Sequence, residues 1–312
     1  MNRRELVKAA IEHRRGERVP YCIDLLDDAW QKLKPMAGER SLEEFVDNDI
    51  KDFCAPWWQW HELGEDWARF EAPVSQGRVI GTGSYTEFID SVKKAKDACD
   101  KYFLVRVYGS HFEKAYTARG FENFLADIGG SPDFARGLLN SIIDKNMVML
   151  ENILCLSEID GVLLGSDWGS QRGLLMSPQV WQEMIRPGEQ REYDLVHSYG
   201  KDVWVHSCGN VERLIPTLIE MGLDVLNPVQ PEAMDVERLK KSYGDKLTFW
   251  GGLSTQKTLP FGTSEEVGRE ARALRAMMSE NGGYVFAPAQ SVQGDVPVEN
   301  LLALFEVARE TP

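Results

Sequence analysis

Eight short apolar runs, most of them followed by a longer amphipathic stretch, constrain this 312-residue chain more than any other feature. The runs cover residues 19–24, 50–55, 103–108, 159–166, 203–206, 224–229, 247–250 and 284–287. Apolar runs of this length, bounded by turn residues, read as strands buried on both faces, which is the signature of a parallel sheet. Between them lie helical patterns with recognisable ends. Ser131-Pro132-Asp133 opens one, with a capping serine and proline at the first helical position. Ser177-Pro178 opens another, which Pro187 should kink before it closes at Gly200. Three more run over 211–221, 236–243 and 264–281, each followed by a glycine. Eight strand–helix alternations at this length fit an α/β protein of the (β/α)8 TIM-barrel type better than an open doubly wound sheet. One interval, 56–90, departs from the pattern with Trp57-Trp58-Gln59-Trp60 and Gly81-Thr82-Gly83. It reads as an inserted hairpin or lid between the second and third strands. No repeat or linker interrupts the chain, so residues 1–312 are expected to form one barrel domain.

Charge removes several function classes. Forty-nine acidic residues against 35 Lys and Arg leave a formal charge of −14, which argues against a nucleic-acid partner and is read as solubility. No apolar run approaches the roughly 18 residues needed to span a bilayer, so no membrane partner is expected. Met1-Asn2-Arg3-Arg4-Glu5-Leu6 has no signal-peptide core. The five cysteines are odd in number and dispersed, which does not make a disulfide framework. The expected location is cytoplasmic.

In a barrel of this kind the active site lies at the carboxyl ends of the strands. The fifth run ends in His206-Ser207-Cys208-Gly209-Asn210. Residues i and i+2 of an extended segment point the same way, so an imidazole and a thiol, both zinc ligands, aim at one point. A hydrogen-bonded imidazole beside an inert thiol would give the same pattern, and the residues alone leave both readings open. Asp167 ends the fourth run, as a base, metal ligand or hydroxyl acceptor on one reading and a cap for loop amides on the other. Asp24 ends the first run, with Asp27 and Asp28 placed to complement the dipole of the next helix. His111 follows Gly109-Ser110, where a lone loop histidine is more often structural or exposed than functional. Trp57, Trp58 and Trp60 either stack on an aromatic substrate or bury the insertion. No phosphate loop and no Gly-x-Ser-x-Gly elbow is present, and Gly81-x-Gly83 lacks a strand–helix context for dinucleotide binding.

Several segments together resemble the uroporphyrinogen decarboxylase superfamily. They are Glu17-Arg18-Val19-Pro20, Gly120-Phe121-Glu122-Asn123-Phe124-Leu125, Gly173-Leu174-Leu175-Met176-Ser177-Pro178, the His206–Asn210 motif, Leu226-Asn227-Pro228-Val229-Gln230, Phe249-Trp250-Gly251-Gly252 and Pro260-Phe261-Gly262-Thr263. The resemblance spans about 17–310, is weaker over 27–100, and implies a (β/α)8 barrel. One branch of that superfamily is the cofactor-free decarboxylase, whose first loop carries arginines for a polycarboxylate. Here that loop reads Asp24-Leu25-Leu26-Asp27-Asp28-Ala29-Trp30 and would repel such a substrate. That branch's aspartate after the second strand has no match around Cys54, although Tyr116 resembles its pocket tyrosine.

The other branch comprises zinc-dependent, corrinoid-linked methyltransferases, whose His-x-Cys is matched by His206 and Cys208. Its third zinc ligand, a cysteine, falls on Gln290 when counted back from Pro297-Val298-Glu299-Asn300, and an amide is a poor zinc donor. Asp167, Asp24 or Glu232 would complete the shell, Gln290 would ligate weakly, or the site would hold no metal. The resemblance therefore implies methyl transfer between a small substrate (a methoxylated aromatic, a methylamine or a thiol) and cobalamin carried by a separate corrinoid protein. Zinc would sit on His206 and Cys208, with Asp167, Tyr116 and Gln290 as catalytic groups. Asp24, His111, Trp168, Trp57 and Trp58 would bind the substrate. Two alternatives stand beside it: a cofactor-free decarboxylase of a smaller acid, using Arg106 or Arg172, and a non-catalytic barrel that binds a small molecule or corrinoid partner.

Overall fold

The expected apolar runs form a curled, wholly parallel seven-stranded sheet in a computed structural model that describes residues 1–56, 84–107 and 109–311. In chain order the strands are β1 (Ile50–Cys54), β2 (Tyr102–Val107), β3 (Gly161–Gly165), the short antiparallel pair β4 (Gly169–Ser170) and β5 (Gly173–Leu174), β6 (Asp202–His206), β7 (Val225–Asn227), β8 (Thr248–Leu253) and β9 (Tyr284–Pro288). The main sheet runs β1-β2-β3-β6-β7-β8-β9, each neighbour parallel to the next. Seven of the eight expected runs are thus regular strands, and the architecture is that of a TIM barrel.

The first expected run is the exception, for a physical reason. Pro20 has no amide hydrogen to give a ladder. Tyr21 and Leu25 make only isolated parallel bridges, to Phe286 and Val292. On the β1 side, side chains replace the ladder. Tyr21 N donates to Asp49 Oδ2 at 2.9 Å, Ile23 N to Asn48 Oδ1 at 2.8 Å, and Asn48 Nδ2 to Ile23 O at 2.9 Å. Backbone bonds from Asp49 N to Tyr21 O and from Tyr102 N to Asp49 O complete the join. The segment therefore bonds to β9 on one side and to the entry of β1 on the other. Asp49 is fully buried and also accepts from Arg18 Nη1 at 2.6 Å.

Two apolar layers follow from a parallel sheet with both faces covered. The outer layer packs sheet against helices. The inner one fills the barrel with Val7, Ile50, Tyr102, Leu163, Trp204 and Trp250 among others. Trp204 meets Trp250 edge to face at 5.5 Å, and its Nε1 donates to the Tyr102 hydroxyl at 3.0 Å. The helix Arg3–Ile11 caps the amino-terminal end of the barrel, with Val7 fully buried. Arg4 Nε meets Asp160 and Lys8 Nζ meets Asp202, each at 2.6 Å.

Proline placement came through better than serine capping. Pro132 opens the helix Pro132–Leu154, but the Ser131 side chain makes no cap bond. Its amide instead donates to Asp127 O and ends the preceding helix Phe121–Gly130. Ser177 does cap, accepting from Val180 N at 3.2 Å. The expected kink at Pro187 is a break, with helices Pro178–Met184 and Arg186–Ser198 meeting at Ile185. Most of the expected insertion, including Trp57, Trp58 and Trp60, lies outside the described residues. From Ser84 onward the chain is the capped helix Tyr85–Ala98. Among the described residues no helix is long and apolar enough to cross a membrane.

Asp49→Ala removes a carboxylate that joins the barrel's seam and leaves the half-buried Arg18 uncompensated. The expected loss is about 3–5 kcal/mol, read as a lower midpoint in urea unfolding.

Candidate metal centre at the barrel mouth

Parallel register sets the site. Gly165 pairs with His206, so β3 and β6 end side by side. Beyond the ladder the two loops stay together: Ser166 N donates to His206 O at 3.1 Å, Trp168 N to Ser207 Oγ at 3.0 Å, and Asn210 N to Ser170 O at 2.8 Å. Two glycines permit this approach. A Cβ on Gly169 would stand 2.7 Å from Cys208 O, and one on Gly209 (φ +79°) would stand 2.5 Å from the Gly169 carbonyl carbon. Gln230 Oε1 fixes the same turn by accepting from Gly209 N at 2.5 Å.

The result draws Asp167, His206 and Cys208 together. Their ligand atoms all lie within 4.8 Å of one another. Cys208 Sγ is 3.3 Å from His206 Nε2, which is 3.8 Å from Asp167 Oδ1. The same Asp167 oxygen accepts from Cys208 N at 2.8 Å. His206 Nδ1 faces Asn227 Oδ1 at 2.6 Å, while Asn227 Nδ2 donates to Trp250 O at 3.1 Å. With its amide nitrogen committed, Asn227 presents oxygen to the imidazole. Nδ1 therefore carries the hydrogen and Nε2 presents its lone pair to the sulfur and carboxylate. Burial, followed by the adjacent Asp167 charge, pushes the Cys208 thiol up to about 12. Imidazole, thiol and carboxylate in this arrangement match a zinc donor set, and a bound cation would draw the sulfur to thiolate.

Of the three carboxylates considered for a third ligand, Asp167 is the one that stands with His206 and Cys208. Asp24 accepts from Ser291 Oγ at 2.7 Å and stands 3.8 Å from Arg106. Glu232 accepts from Ser254 Oγ. Gln290 reaches the centre, but with the wrong end for a ligand. Its Nε2 donates to Cys208 Sγ at 3.4 Å and its Oε1 accepts from Ser291 N at 3.0 Å.

A cavity of about 460 Å³ opens over these residues. Leu26, Leu163 and Leu164 line it alongside Asp167, His206, Cys208 and Gln290. A smaller recess beside it reaches Asp24, Asn227 and Trp250. Two lining residues were not singled out as central from the sequence, Glu113 and Arg106. Glu113 lies in the first turn of the helix Phe112–Arg119, directly after the β2 turn, and that position was its only signal. Arg106 lies within β2, with Nε 2.8 Å from Asp52 and Nη1 near Asp24, so its charge is already matched.

Other expected site residues are placed elsewhere. Trp168 is fully buried edge to face with Trp181 at 5.2 Å. Tyr116 packs on Phe112 and Phe121. Gly109 and Ser110, at φ +73° and +26°, turn His111 into the wall behind the cavity, where Nε2 faces Ile185 O at 3.2 Å. Arg172 sits on the exposed tip of the β4–β5 hairpin. Trp57 and Trp58 lie outside the described residues.

A model of the family "Uroporphyrinogen decarboxylase (URO-D)" matches residues 65–311. The chain belongs to this family. No curated protein matches it. Among solved structures, a methyltransferase from Methanosarcina mazei is similar over 99% of this chain and 98% of its own, with a TM-score of 0.72 at 15% identity. A glycosylated endo-β-1,4-xylanase from Gloeophyllum trabeum matches over 73% of this chain and 81% of its own, with a TM-score of 0.45 at 9% identity. The first of these supports the TIM-barrel fold of the family.

Gly209→Ala forces a left-handed backbone and a clash with Gly169. Strain of about 1–3 kcal/mol is expected, read as a lower thermal midpoint than the wild-type protein shows.

Proposed function

We propose that this protein is a zinc-assisted methyltransferase that moves a methyl group between a small substrate and cobalamin held by a corrinoid protein. The observation that supports it most is the Asp167–His206–Cys208 donor set below a cavity at the carboxyl ends of the strands. The Methanosarcina mazei structure, a methyltransferase by its title, shares the fold and is in line with this reading.

Zinc bound there would act as a Lewis acid, polarising a methoxy oxygen or lowering a thiol's pKa. The remaining work falls to the chain's own groups. Asn227 holds the His206 lone pair toward the centre. Asp167 is the third donor and ties the Cys208 loop by its amide. Gln290 offers an N–H to the sulfur, which would temper the charge of a thiolate there. Apolar Leu163 and Leu164 suit the body of a methoxylated aromatic, a methylamine or a thiol. The acidic segment at Asp24, Asp27 and Asp28 disfavours a polycarboxylate at the same opening, and Arg106 is already held by two carboxylates.

The test combines the purified protein with a reduced corrinoid protein and a panel of methyl donors, following methylcobalamin by absorbance. Turnover with at least one donor is expected. His206→Ala and Cys208→Ala should each lower the zinc content by about one equivalent and abolish that turnover. Absence of turnover with every donor, together with unchanged zinc in Cys208→Ala, overturns the proposal. Asn227→Ala should weaken zinc binding about 10- to 100-fold, measured by competition with a chelator, because the imidazole loses its orienting partner.

A further inference from the structure

A second cavity, of about 650 Å³, opens at the amino-terminal end of the barrel, opposite the metal centre. It lies between the helix Arg3–Ile11, the segment from Arg14 to Pro20 and the helix Ser264–Met278. Tyr284, the first residue of β9, also lines it, which places it at the start of the strands. Its volume falls within the range of about 300–1,000 Å³ in which proteins hold small molecules.

The charge of this lining runs against that of the chain. The protein carries a formal charge of −14, yet Arg14, Arg15, Arg18, Arg272 and Arg275 converge here against Glu280 and Glu310. Some of these arginines are spent. Arg18 gives both terminal nitrogens to Asp49, and Arg14 pairs with Glu12. Others are not. Arg15 is exposed and makes no hydrogen bond or ion pair among the described residues. Glu280 is answered by Lys240, which lies outside the lining.

Arg275 carries the argument furthest, because its side chain is only 9% exposed. Its Nη1 donates to Val307 O and its Nη2 to Glu310 O at 2.9 Å, so two donors cap the end of the helix Val298–Arg309. Its Nε has no hydrogen-bond partner. A guanidinium buried this far needs a counter-charge. The Glu310 carboxylate stands 3.8 Å away and is already engaged by Arg272 at 2.7 Å. Glu306, the other carboxylate near Arg272, is largely exposed at 3.6 Å and adds little. One carboxylate thus serves two arginines. Burial, with Arg18 and Arg272 nearby, lowers the Arg275 pKa against the pull of Glu310. Beside this charged wall, Leu6, Val19 and Pro20 supply an apolar one.

We propose that this cavity binds a small organic oxyanion, a phosphate or carboxylate compound. Its charged group lies among Arg15, Arg272 and Arg275, and its carbon frame rests against Leu6, Val19 and Pro20. Guanidinium forks suit such a group, since they meet its oxygens two at a time. The site is separate from the metal centre, so it stands whether or not the protein transfers methyl groups.

The test is isothermal titration of the full chain at low ionic strength with ATP, inorganic pyrophosphate and citrate. At least one of the three should bind one equivalent with a Kd of about 1 mM or tighter. Binding should weaken as salt is raised. Heat from the phosphate compounds or from citrate tells which kind of oxyanion the arginines take. Ala276→Glu, which sets a carboxylate on an exposed lining position, should weaken that binding about tenfold or more. Arg15→Glu should do the same, and its exposed side chain keeps the test open should Ala276→Glu fail to fold. No binding of any of the three compounds overturns the proposal, as does binding that folded Ala276→Glu and Arg15→Glu leave unchanged.

Discussion

The Asp49 carboxylate holds together what the backbone ladder does not. A barrel requires its first and last strands to meet, and here the first segment contains Pro20 and bonds to its neighbours through scattered bridges. Asp49, with Asn48 beside it, supplies side-chain acceptors where ladder carbonyls would stand. Everything at the mouth inherits that closure. Leu26 N donates to Val292 O and Val292 N to Asp24 O, so the loops bearing Asp24 and Gln290 are stitched together across the seam. Gln290 reaches Cys208 because its loop is held from this side while β6 and β7 hold the sulfur from the other.

The mouth centre depends on a second constraint, the backbone contact between Gly169 and Gly209. Any side chain at either position would separate Asp167 from Cys208. Burial, reinforced by the carboxylate beside the thiol, is unfavourable for the thiolate as it stands, which is why Cys208 is pushed up. A bound cation would invert that logic, since the neighbours that resist ionisation of the sulfur would become its fellow ligands. Asn227 adds direction by fixing which imidazole nitrogen faces inward.

Much of the fold was legible because parallel strands buried on both faces leave continuous apolar runs, and seven of the eight runs became strands. The remaining run, residues 19–24, is not a regular strand, because Pro20 offers no amide hydrogen and the Asn48 and Asp49 side chains stand in for the ladder on the β1 side. His206 and Cys208 were legible through the two-residue period, and Asp167 through its position at a strand end. The part played by Gln290 was not, since spacing says where an amide stands but not which end it presents. His111 and Trp168 followed strand ends too, yet both are buried in the wall. The left-handed turn at Gly109 and Ser110, which redirects His111, has a glycine to announce only its first residue. Glu113 shows the converse: it sits in an ordinary first helical turn and reaches the cavity only because that turn places it there.

The helix Arg3–Ile11 closes the far end of the barrel, with Val7 in the interior and Arg4 and Lys8 fastened to Asp160 and Asp202. That leaves the carboxyl ends of the strands as the face where the described mouth cavity opens. Under the proposed function, a small methylated molecule and a bulky carrier would share that face, and the order of their arrival would become a property of the architecture itself.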